Sequence, residues 1–167
     1  MLNPIETRYK GYKFRSRLEA RWAVFFDHMG IKYFYEPEGY KLKSGWYLPD
    51  FWLPQVNMWA EIKQNDFSRR EYCLAYDLSE STGYPCLMLV GEPNFKPYKS
   101  VTVVSGIDEK GVLVSDDIEI YYCLVSYYLE QNNFYYFQDL SQALDIDDYG
   151  NDYKKAVYAA RSERFEF

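Results

Sequence analysis

The hydrophobic positions along the chain change period several times, and each change marks an element. In RSRLEARWAVFFDHMG, Leu18, Trp22, Phe25, Phe26 and Met29 recur at intervals of three and four, the spacing of one helix face. Ser16 is placed to cap that helix, Glu19 follows three residues later, and Gly30 supplies the stop. The stretch IKYFYEPEGYKLKSGWYLPDFWLP reads as two strands joined by a turn at Lys43-Ser44-Gly45. Pro37, Pro49 and Pro54 make these strands irregular or edge-like. NMWAEIKQ is a third strand, and Trp59 and Ile62 fall on opposite parity, so both of its faces are expected to be covered.

A second helix is expected over FSRREYCLAYDLSESTG, with Ser68 as cap, Glu71 three residues on and Gly83 at the end. The continuous apolar run YPCLMLVG follows and reads as a buried strand reached by a parallel crossover. The order to this point is α-β-β-β-α-β. After Pro93 and Pro97 the character shifts. SVTVVSGIDEKGVLVS reads as a hairpin turning near Asp108–Gly111. IEIYYCLVSYYL and NFYYFQ read as further strands, the first with a helical alternative, and YKKAVYAARSERF as a closing helix. The expectation is an α/β protein: a core over residues 1–92 with a mixed, mainly antiparallel sheet, and a β-rich C-terminal extension over 93–167 packed on it as a single compact domain.

Composition narrows the classes. A chain of 167 residues fits one domain with a real core. No apolar run is long enough to span a bilayer and the N-terminus lacks the apolar core of a signal peptide, so no membrane association and a cytoplasmic location are expected. Cys73, Cys86 and Cys123 are scattered and His28 is the only histidine, which argues against a zinc site and against triads that turn on a histidine. His28 itself reads as a surface residue at a helix end. The net charge of −6 argues against a protein that coats nucleic acid, but six basic side chains against two acidic ones fall within residues 1–21. The acidic density lies in DLSQALDIDDYGND.

The unusual feature is Asp50 in YLPDFWLP and Glu61 in WAEIKQ, carboxylates inside apolar strands. A buried carboxylate is costly unless it is paired or holds a cation. On neighbouring strands the two can converge, and hard oxygen ligands of this kind suit Mg²⁺, with Mn²⁺ as a substitute. Lys63 shares the face of Glu61. An acid pair with a lysine alongside can hold a divalent ion and place positive charge near a phosphate, the chemistry of phosphodiester hydrolysis.

SRLE on the first helix, YLPDFWLP on a strand and WAEIKQ on the next together resemble the PD-(D/E)XK nuclease superfamily. The texture is most similar to the compact phage Holliday-junction-resolving endonucleases, and also to the transposon-end-cleaving and very-short-patch-repair branches. The likeness spans roughly residues 10–91. It implies a Mg²⁺-dependent endodeoxyribonuclease, acting in the host cytoplasm if phage-encoded and as a homodimer if it cuts two strands. Carried over, Asp50, Glu61 and the Ile62 carbonyl bind the metal. Glu19 holds a water on the metal or a second ion, Lys63 orients or activates the attacking water, and Gln64 is peripheral. DNA is expected on the face carrying Lys10, Lys13, Arg15, Arg17 and Arg21, with Asp145–Asp152 turned away.

Each assignment has a plainer counterpart. Glu19 can serve only to close the capping box with Ser16. The arginines can be a solvated helix face, Glu36 and Glu38 read as solvent-facing, and Tyr72 and Tyr76 read as core. The rival class is a catalytically idle nuclease-fold protein that binds a protein partner, or acts as an anti-defence module, through its acidic, tyrosine-rich second half, residues 93–167.

Overall fold

The computed structural model describes residues 4–94 and 151–165, and between them the backbone of strands at 98–103, 106–107, 113–115, 118–123, 125–128 and 133–136. Ahead of the first expected helix stands a hairpin, β1 (Thr7–Tyr9) and β2 (Tyr12–Phe14). Its two-residue turn, Lys10-Gly11, has φ of 44° and 85°, the left-handed pair that lets a tight turn follow strand twist. Helix α1 (Arg17–His28) follows, with the Glu19 N–H donating to the Ser16 Oγ cap at 3.2 Å. Gly30, at φ 71°, ends it, and the Ile31 N–H closes back on the Phe26 carbonyl at 2.8 Å. His28 is exposed at its end, as expected.

The two strands expected over 31–54 are each broken in two. β3 (Phe34–Tyr35) and β6 (Phe51–Leu53) pair in the main sheet, while β4 (Tyr40–Leu42) and β5 (Gly45–Tyr47) form a separate ribbon turning at Lys43–Ser44. The breaks fall at Glu36-Pro37 and Leu48-Pro49, because proline removes a ladder donor and restricts the residue before it. β7 (Met58–Lys63) runs antiparallel to β6. Helix α2 (Arg69–Thr82) carries the full capping box expected at Ser68 and Glu71 and ends at Gly83, φ 74°. It crosses over to β8 (Cys86–Val90), parallel to β7. The α-β-β-β-α-β order stands, with β4 and β5 as an excursion within it.

β9 (Tyr98–Val103) pairs antiparallel with β8, and after the short hairpin of β10 (Gly106–Ile107) and β11 (Leu113–Ser115), β12 (Ile118–Cys123) pairs with β9. The result is one six-stranded mixed sheet, β12-β9-β8-β7-β6-β3. β13 (Val125–Tyr128) and β14 (Asn133–Tyr136) form another hairpin, and α3 (Asn151–Ser162) is the closing helix. The expected turn at Asp108–Gly111 lies outside the described residues, and so do residues 145–150 of the acidic Asp145–Asp152 segment.

Strand alternation sorts the core into two layers. Met58, Ala60, Ile62, Leu87 and Leu89 face α1 and α3, where Trp22, Phe25, Phe26, Ala156 and Val157 are buried. Trp59, Cys86 and Met88 face α2, against Leu74, Ala75 and Leu78, with Tyr72 and Tyr76 packed alongside. No helix among the described residues is long and apolar enough to cross a membrane.

Candidate active site

The register of β6 and β7 pairs Phe51 with Ala60, so one step outward Asp50 stands opposite Glu61 and both point to the α2 face. Alternation puts Lys63 on that face too. The two acids lock together through backbone: the Ile62 N–H donates to Asp50 Oδ2 at 2.8 Å and the Asp50 N–H donates to Glu61 Oε2 at 3.3 Å. The Tyr47 hydroxyl donates to the same Glu61 oxygen at 2.9 Å. The N–H and C=O of a strand residue face the same neighbour, so the Ile62 carbonyl opens on the acid pair as its N–H does.

Both acids are covered, Asp50 to 2 % exposure and Glu61 to 8 %. Burial pushes the Asp50 carboxyl well above the usual carboxylate range; Glu61 and Glu19 push it further, against the Ile62 N–H and Arg15. Burial raises Glu61 from 4.5 to about 7 even though Tyr47, the Asp50 N–H, Lys63 and Arg15 hold it down. The pair is short of positive charge.

The positive charge it has comes from Lys63 and from Arg15, which lies between β2 and α1. Its Nη2 donates to Asp50 Oδ1 at 2.6 Å and its Nε pairs with Glu36. Burial opposes the guanidinium charge, but Asp50, Tyr35, Glu36 and Glu19 outweigh it and its pKa is raised. Glu19, in the first turn of α1 and 7 % exposed, is fixed by three donors. Ser16 Oγ donates to Oε1 at 2.7 Å; the Tyr35 hydroxyl and the Arg15 N–H donate to Oε2 at 2.6 and 3.2 Å. The Lys63 ammonium, its side chain 42 % exposed, is held by Glu71 of α2. Burial works against the lysine charge, but Glu71, Glu61 and Asp50 raise its pKa.

These groups line one cleft of about 670 Å³, whose walls include Arg15, Arg17, Glu19, Asp50, Glu61, Ile62, Lys63 and Gln64. Three expected DNA contacts stand elsewhere. Lys10 pairs with Asp27 at 3.1 Å and Lys13 with Glu6 at 2.7 Å, both on the β1–β2 hairpin side. Arg21 Nη1 donates to the Ala160 and Arg161 carbonyls at 2.6 and 2.9 Å, so it caps the C-terminal end of α3. Glu36, read from the sequence as solvent-facing, is mostly covered and grips Arg15.

The sequence reading missed Tyr35, Tyr47, Glu36 and the Lys63–Glu71 pair as parts of the site. The tyrosines carry no local mark that separates them from core aromatics. Glu36 has one signal, its position before Pro37, where the strand must leave the sheet.

The donor set suits a hard cation. Asp50, Glu61 and the Ile62 carbonyl are all oxygen ligands, the type that Mg²⁺ and Mn²⁺ take, and the raised acids are those a cation would relieve. Both hydrogen bonds to Glu61 among the described residues fall on Oε2, which leaves Oε1 to an incoming group. Among the described residues no three His, Cys, Asp or Glu side chains gather into a metal cluster, so a cation held here would rest on two carboxylates and the Ile62 carbonyl. Comparison with family models, curated proteins and solved structures returned no match.

Proposed function

We propose that this protein is a Mg²⁺-dependent endodeoxyribonuclease with a PD-(D/E)XK core. The observation that carries the reading is the pairing of Asp50 with Glu61 on one sheet face, beside Lys63, in a cleft edged by Arg15 and Arg17. Two buried acids raised by their surroundings make poor structural elements and good cation ligands. Asp50, Glu61 and the Ile62 carbonyl would hold a divalent ion, which would supply charge neutralisation at the scissile phosphate. The chain's own residues do the rest. Arg15 and Arg17 bind flanking phosphates and orient the strand. Lys63, charged, donates hydrogen bonds to the attacking water and to the phosphate oxygen where negative charge develops. Tyr47 and the Asp50 N–H hold Glu61 in one orientation, and Glu19 fixes Arg15 and Tyr35 at the mouth.

The rival reading, a protein-binding module built on the second half, draws on side chains of residues 95–150, outside those described. The test is incubation of wild type and Glu61→Ala with labelled junction, nicked, linear and single-stranded DNA, with and without Mg²⁺. Cleavage by wild type that needs Mg²⁺ and vanishes in Glu61→Ala is expected. Cleavage of none of these substrates with Mg²⁺ or Mn²⁺, or equal cleavage by the variant, would refute the reading.

A further inference from the structure

The Lys63–Glu71 contact joins the cleft to the start of α2. Glu71 is the third residue of that helix and the acidic member of its capping box. Its Oε2 accepts from the Ser68 N–H and the Ser68 Oγ, each at 2.7 Å, while the Glu71 N–H donates to Ser68 Oγ at 3.4 Å. Its other oxygen, Oε1, takes the Lys63 ammonium. One carboxylate thus serves two duties with separate oxygens. The cap holds the carboxylate still, and the carboxylate holds the lysine. Lys63 and Glu71 bear on each other's charge: burial raises Glu71, but Lys63 and Ser68 outweigh it and its pKa is lowered.

We infer that Glu71 is a positioning residue for Lys63, fixing the ammonium against the acid pair in the conformation that cleavage needs. The inference rests on the nuclease reading and goes beyond it, since it assigns a role to a helix cap on the far side of the lysine. Left alone, a half-exposed lysine spreads over many rotamers, and ordering it costs side-chain entropy. Anchoring moves that cost into folding, before substrate arrives. The chemistry permits it. An ammonium has three N–H donors, so Lys63 can keep Glu71 on one and present the others to a water and a phosphate oxygen. The plain alternative is a surface ion pair, a contact that measures near zero in many proteins.

The two duties can be separated. Glu71→Gln keeps an oxygen for the Ser68 donors but turns a neutral amide to Lys63. Ser68→Ala removes the two Oγ bonds of the cap, while the backbone N–H at position 68 still holds the Glu71 carboxylate for Lys63. Single-turnover cleavage, DNA affinity without metal, and thermal unfolding are measured for both, for Lys63→Ala, and for Lys63→Ala with Glu71→Gln. Expected for Glu71→Gln is a cleavage rate lower by about 10- to 100-fold with DNA affinity and unfolding temperature near wild type. Ser68→Ala is expected to unfold at lower temperature and keep its rate. On the residual rate of Lys63→Ala, adding Glu71→Gln should change nothing. If wild type cleaves and Glu71→Gln cleaves as fast, or if its loss multiplies that of Lys63→Ala, the positioning role is overturned and the nuclease reading stands. If wild type cleaves nothing, both fall together.

Discussion

Glu61→Gln should stabilise the metal-free protein at alkaline pH, and the size follows from the burial of the acid pair. Glu61 titrates at about 7 in the fold against 4.5 when solvated. A raised folded pKa means that the native state holds the proton more tightly than the unfolded chain does. Stability is then fully present below pH 4.5 and is lost as pH rises through 7. The 2.5-unit difference corresponds to about 3 kcal/mol. Asp50 is raised as well, so its contribution has the same sign. The assay is urea unfolding with chelator at constant ionic strength, from pH 5 to 8.5. In this window ordinary carboxylates are already ionised, lysines remain charged, and the one histidine is exposed at a helix end. Wild type should lose about 2.5 kcal/mol across the window, and Glu61→Gln should lose far less. The glutamine oxygen still accepts from Tyr47 and the Asp50 N–H, so the two proteins should match near pH 5 and diverge above 7. If wild type is flat or gains stability over the window, with the variant running parallel, the acid pair ionises as surface carboxylates do and the argument fails.

Mn²⁺ should recover what ionisation removes: at pH 8.5 and a free concentration of one hundred times Kd, wild type should gain about 2.7 kcal/mol, and Asp50→Asn should gain much less by the same unfolding assay. Arg15→Ala leaves Asp50 buried without its guanidinium; a fully buried pair broken this way costs about 3–5 kcal/mol, and because Arg15 is half exposed the expected loss at pH 8 is nearer 1–2 kcal/mol, read by urea midpoint. Arg21→Ala should lower the unfolding temperature by loosening α3 from α1 yet leave the salt dependence of DNA binding unchanged, whereas reversing Arg15 and Arg17 should flatten that slope by about one unit per lost contact.

What the sequence revealed was local, and what it hid was brought together over distance. α1 and α2 were legible because their stripes and caps lie within a few turns of each other. Asp50, Glu61 and Lys63 were legible because a charge in an apolar strand breaks a two-residue pattern that needs no partner to be seen. Arg17 and Arg21 looked equivalent, four apart on one helix, but Arg21 is one turn further along and meets the end of α3, some 140 residues away in the chain. Nothing near Arg21 announces that docking. The Lys10-Gly11 turn carries a glycine as its mark, but the strands on either side are three residues each, too short to show a two-residue alternation. The split of the two expected strands was signalled by Pro37 and Pro49; irregularity was legible there, but not that β4 and β5 would pair only with each other.

Glu19 shows why rigidity and chemistry need not compete for one side chain. The sequence allowed it either to cap α1 or to serve the site. Its carboxylate takes the Ser16 hydroxyl on Oε1, and the Tyr35 hydroxyl and Arg15 N–H on Oε2. A carboxylate offers about four lone-pair sites, so three are engaged and one remains. With so little free capacity, Glu19 is suited to orienting a water rather than to surrounding an ion. Its larger effect is indirect. By gripping the Arg15 backbone it fixes where the guanidinium emerges, and that guanidinium reaches Asp50. The more fully bonded acid therefore orders the others. Asp50 and Glu61 stay raised because burial outweighs the donors that reach them, and a cation gains most where the fold has left that deficit.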